Sequence, residues 1–169
     1  DMERISIKSY LAMGYEFNLY MYKSDLVNEK ARDNLKIYSS KFKILPAEDI
    51  IPAEEIFYIE EKICAFSDLW RYTYLYNFGG TWLDADMVLL KKLPEDKIII
   101  SSEHTFQSGA FKSKDPQICN IGVLRMPKGC EILKTVIELN QTIGFLKIVM
   151  HYIVGTISLI INMILILAR

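Results

Sequence analysis

Two carboxylates set in an apolar run are the first residues of this sequence that could do chemistry. In Thr81-Trp82-Leu83-Asp84-Ala85-Asp86-Met87-Val88-Leu89-Leu90, the aspartates interrupt a stretch whose other members suit a buried strand. An ionised carboxylate among apolar neighbours needs a compensating charge, and a divalent cation supplies one when a second carboxylate lies two residues away. On a regular strand the period of two puts Asp84 and Asp86 on one face, where they can share an ion directly or through water. Read alone, the triplet also fits a strand end bearing two solvated aspartates, because D-x-D is a common pattern.

A second charged pair precedes the triplet. In Phe66-Ser67-Asp68-Leu69-Trp70-Arg71-Tyr72, Asp68 and Arg71 stand three residues apart and so share one face of a helix. As an exposed ion pair they would contribute only a few tenths of a kcal/mol. Leu69, Tyr72, Thr73 and Tyr76 make the helix a packed one, however, and that fixes the pair near its buried margin.

The elements that must position these groups follow from the hydrophobic period, which alternates between helical and strand-like and predicts an α/β domain. A first helix holds Ile5, Leu11 and Met13 and closes near Gly14, and Phe17 to Tyr22 is a strand. Ser24 to Lys36 is polar enough for a surface helix, Phe42 to Leu45 makes a short strand, and Pro46 to Pro52 a loop. Ile63 to Phe78 is the long helix, ended by Gly79-Gly80, and Thr81 to Leu90 reads as extended chain. Ile98 to Ser101 and Ile118 to Met126 are further strands, and Glu131 to Leu139 a last helix. There is no internal repeat.

The run Ala65-Phe-Ser-Asp-Leu-Trp-Arg-Tyr-Thr-Tyr-Leu-Tyr-Asn-Phe-Gly-Gly-Thr-Trp-Leu-Asp-Ala-Asp86 resembles the signature of the DXD sugar transferases. That superfamily includes initiating mannosyltransferases, capsular polysaccharide synthesis enzymes and glucosylating toxins. Its pattern is a small residue, then x-Ser-Asp-x-x-Arg-Tyr, a Gly-Gly pair, and an aromatic two residues before Asp-x-Asp, and every element is in register here. Weaker similarity runs from about Ile5 to about Leu139, including Asn120-Ile121-Gly122-Val123-Leu124 and Pro127-Lys128-Gly129.

The resemblance implies a single-domain GT-A sandwich over residues 1–142 with a central, mostly parallel or mixed sheet. It also implies a nucleotide-diphosphate sugar donor carrying UDP or GDP, manganese or magnesium, a glycan or protein acceptor, and transfer with retention of configuration. Position by position, Asp86 resembles the metal ligand, and Asp84 the residue that meets the ribose and sugar as well as the metal shell. Asp68 and Arg71 resemble contacts to the donor sugar's hydroxyls. The family carries a strand before its first helix, and this sequence begins at or just after that point. It also has segments beyond the last strand that close the site, where this sequence has an apolar tail and His151. On the family's pattern the domain is thus short at both ends.

Other classes are weighed against the same residues. A haloacid-dehalogenase-type phosphatase also opens its site with apolar residues and D-x-D, but the acidic residues after Asp86 form no G-D-x-x-x-D pattern. A relative that binds metal or nucleotide without transferring sugar is the other alternative. Twenty basic against 21 acidic side chains leave a net charge of -1, which gives no field for attracting nucleic acid. Cys64, Cys119 and Cys130 match no zinc or redox spacing and read as buried thiols, and His104 reads as a surface-loop residue. The tail, 143–169, carries no charge from Tyr152 to Ala168. It is at the lower limit for crossing a bilayer, so it fits a membrane anchor and a buried terminal helix equally. Without such an anchor the cytoplasm is the expected location.

Overall fold

A computed structural model of the chain describes residues 2–24, 28–59, 61–103 and 118–143. The expectations for His104, His151 and the tail from residue 144 fall outside these. Among the described residues, no helix is long and apolar enough to cross a membrane. The chain is mixed α/β and divides into two compact units.

The first unit joins residues 1–56 to residues 83–95. Helix α1 (Met2–Ala12) ends where Gly14 takes a φ of 91°, a left-handed conformation that lets the chain leave the helix. Strand β1 (Phe17–Met21) then pairs in parallel with β2 (Phe42–Pro46), Phe17 opposite Phe42 and Leu19 opposite Ile44. Parallel neighbours need a crossover connection, and α2 (Asn28–Leu35) provides it. Ile7, Ile37 and Phe42 form the core, with Leu11, Phe17, Leu19, Leu35 and Ile44 packed around them. On α1, Ser6, Ile7 and Tyr10 are the buried residues, and Ile5 is exposed.

The second unit takes residues 57–82 and the described residues from 96 onward. Helix α3 (Cys64–Phe78) stops at Gly79, whose N–H bonds the Leu75 carbonyl at 2.8 Å with φ 71°. A Cβ on Gly79 would lie 2.7 Å from the backbone nitrogen of Lys128, so glycine is demanded by close approach as well as by conformation. Strands β3 (Gly80–Leu83), β4 (Ile99–Glu103) and β5 (Ile118–Met126) form a sheet in the order β3-β5-β4, with β4 and β5 antiparallel. Helix α4 (Glu131–Ile143) follows. Tyr72, Leu75, Leu124, Met126, Leu133 and Val136 are the buried centre of this unit.

Two expectations need correction. The extended chain predicted over Thr81 to Leu90 stops at Leu83, because Asp84-Ala85-Asp86 turns and Met87 N–H bonds back to the Asp84 carbonyl at 3.2 Å. Aspartate is poorly suited to strand interiors and well suited to turns, and that preference prevails here over the apolar flanks. Cys64 is exposed rather than buried.

Candidate active site

The Asp84-Ala85-Asp86 turn begins where β3 ends, so the two carboxylates leave a tight turn instead of alternating along a strand. Asp84 is half-buried and Asp86 exposed. Among the described residues the segment after the turn makes no strand pairing, and side chains of the N-terminal stretch bond several of its backbone groups. Ser6 and Tyr10 both donate hydrogen bonds to the Met87 carbonyl, Tyr10 at 2.7 Å, and Tyr10 also stands 3.4 Å from the Asp84 carbonyl. Leu89 N–H donates to Ser9 Oγ at 2.9 Å, and Leu93 N–H to the Tyr15 hydroxyl at 3.0 Å. Burial, and then the charges of Asp84 and Asp86, hold the Tyr10 phenol above its ordinary range, against a lowering hydrogen bond from Ser6. Both carboxylates therefore bear on the same buried hydroxyl.

Asp68 and Arg71 lie in the second unit, on α3. They are 3.5 Å apart, with the arginine side chain 7% exposed and the aspartate 22%. Arg71 Nη1 donates to the Ile121 carbonyl at 2.9 Å, and its guanidinium lies 4.6 Å from the centre of the Trp82 ring. A buried cation needs such partners: a carboxylate, a carbonyl and an aromatic face together replace the water it has lost. Trp82 also packs against Trp70, and Tyr72 beside the pair is buried, its phenol pushed up by burial and then by the Asp68 charge.

The fold thus brings Asp84 together with Asp86, and Asp68 together with Arg71, each pair within its own compact unit. As donors to a cation, the first pair offers two hard carboxylate oxygen ligands, suited to magnesium or manganese. Among the described residues no cluster of three or more His, Cys, Asp or Glu side chains gathers to complete a protein cage. That set still fits an ion of the kind held by one or two carboxylates plus substrate phosphate and water.

Sequence reasoning missed Ser6, Ser9, Tyr10 and Tyr15. The first three recur at spacings of three and four along one helix face.

Residues 33–105 match the family described as glycosyltransferase sugar-binding region containing DXD motif. Over these residues the chain is similar to the DXD-containing glycosyltransferases. The matched sugar-binding region takes in the end of α2, then β2, α3, β3, the Asp84–Asp86 turn and β4, and leaves out α1 and β1 on one side and β5 and α4 on the other. A glycosyltransferase-related function follows from it. Comparison with curated proteins and with solved structures found no match.

Proposed function

We propose that the protein is a hexosyltransferase that moves a sugar from a UDP- or GDP-sugar to a glycan or protein acceptor, with manganese or magnesium held at Asp84 and Asp86 and with retention of configuration. The observation that carries this reading is the pair of carboxylates on one turn, directly after β3 and inside the sugar-binding region. Breaking a glycosyl–phosphate bond leaves a diphosphate whose developing charge must be stabilised, and a divalent cation supplies that compensation without proton transfer.

In this reading Asp86 is the principal metal ligand, and Asp84 serves the metal shell together with the ribose and sugar. Asp68 and Arg71 are assigned to the donor sugar's hydroxyls. Arg71, with its fork already on the Ile121 carbonyl and the Asp68 carboxylate, also fixes the direction in which Asp68 can accept a hydroxyl proton. No residue is proposed as a hydrolase nucleophile.

The test is hydrolysis of UDP- and GDP-sugars, with manganese and with excess chelator, set beside hydrolysis of a generic phosphomonoester. Donor hydrolysis that disappears with the chelator supports the proposal. Full turnover in chelator would remove Asp86 from its role, and preference for the phosphomonoester would make the turn a phosphatase site. Nucleotide binding without turnover would point to a non-catalytic relative.

A further inference from the structure

We propose that Ser6, Ser9 and Tyr10 of α1 are positioning residues that lock the Asp84-Ala85-Asp86 turn in the arrangement that takes a divalent cation and diphosphate. The proposal rests on the reading of that turn as the donor site, and it adds residues from outside the matched sugar-binding region.

From Asp84 to Leu90 the chain has left β3 and, among the described residues, pairs with no other strand, so its N–H and C=O groups need partners elsewhere. One helix face supplies them. The Met87 carbonyl accepts from two hydroxyls, Ser6 and Tyr10, and the Leu89 N–H is taken by Ser9 Oγ at 2.9 Å, which itself donates to the Ser6 carbonyl at 2.7 Å. Residues 6, 9 and 10 are spaced to lie along one stripe of α1.

These hydroxyls are not incidental surface groups. Ser6 is 0% and Tyr10 1% exposed, and the Tyr10 ring lies parallel to that of Phe17 at 5.6 Å, so it has little freedom to swing away. A buried hydroxyl is unfavourable unless hydrogen-bonded, and alanine or phenylalanine would fill the same space without that cost. What the hydroxyls add is a grip on Met87 and Leu89, one and three residues beyond Asp86. Met87 N–H in turn closes the turn on the Asp84 carbonyl at 3.2 Å. The backbone that carries both carboxylates is thereby fastened on its C-terminal side to a helix packed in the core of its unit. A site with few protein ligands depends on such fastening, because misplacement by about 1 Å can cost about 100-fold in rate.

Tyr10→Phe, Ser6→Ala, Ser9→Ala and Ser9→Thr test this, each read by three measurements: thermal melting, amide hydrogen exchange over residues 84–89, and the manganese dependence of UDP- or GDP-sugar hydrolysis. Tyr10→Phe keeps the ring and so protects the fold. Tyr10→Phe and Ser6→Ala are expected to speed exchange in 84–89 selectively and to raise the manganese concentration for half-maximal rate by on the order of tenfold. Ser9→Thr, which keeps the hydroxyl, is expected to stay closer to wild type than Ser9→Ala. A lowered melting temperature with an unchanged manganese requirement would make the stripe merely structural and overturn the proposal. So would unchanged exchange over 84–89. Wild-type protein that neither binds manganese nor hydrolyses donor would overturn the donor-site reading itself, and selective exchange in the variants would then show that α1 fastens a turn with another purpose.

Discussion

Arginine 71 gives the sharpest quantitative expectation. Replacing it with lysine keeps the charge but removes the planar fork that meets the Ile121 carbonyl at 2.9 Å, the Asp68 carboxylate at 3.5 Å and the face of Trp82 at 4.6 Å. One ammonium can serve one of the two polar partners. The other hydrogen bond, with a charged donor, is worth about 1.5–3 kcal/mol, and a cation over an indole adds about 0.5–1 kcal/mol or more when desolvated. Arg71→Lys should therefore destabilise the protein by about 2–4 kcal/mol. At about 2–4 °C per kcal/mol for a chain of this size, the melting temperature should fall by about 4–16 °C. Differential scanning calorimetry measures this directly, and donor hydrolysis below the transition reports separately on the sugar contact. A mutant melting within a degree of wild type would refute the reasoning, for it would mean that the buried fork contributes no more than a point charge.

Two further outcomes follow from the same geometry. Gly79→Ala should destabilise by at least about 1 kcal/mol, seen in denaturant melts, since alanine at φ 71° is strained and its Cβ would stand 2.7 Å from Lys128 N. Because burial and then the two carboxylates raise the Tyr10 phenol, the stability it confers is whole below the unfolded-state value near 10 and is lost as pH climbs toward the higher folded value; melts at pH 9 and 11 should show a smaller loss in Tyr10→Phe than in wild type.

Much of this architecture was legible in the sequence because local signals agreed with the tertiary result. Gly14 and Gly79-Gly80 marked two helix ends, and the apolar periods located β1, β2, β4 and β5 to within two residues. The place of Arg71 and Asp68 near the buried margin of α3 was also readable, since Leu69, Tyr72, Thr73 and Tyr76 make that helix a packed one. The Asp84–Asp86 geometry was misread for a physical reason. Leu83, Met87, Val88 and Leu89 look like strand on both sides of the aspartates, but the backbone from Asp84 onward finds its partners in hydroxyls more than 70 positions away in sequence. No local period records a hydrogen bond from Ser6 or Tyr10 to Met87.

Whether Asp84 and Asp86 form a cation and diphosphate site is tested most directly by thermal melts of wild type and Asp86→Asn, with and without manganese plus UDP or GDP. A ligand that binds only the folded state at about 100 times its Kd adds about 2.7 kcal/mol. That is a rise of about 5–11 °C for a chain of this size. Wild type should show that rise, while Asp86→Asn, altered at an exposed turn position, should melt like the unliganded wild type and fail to respond. A wild type blind to manganese and nucleotide, together with an Asp86→Asn protein that melts lower, would contradict the claim and make the two aspartates structural.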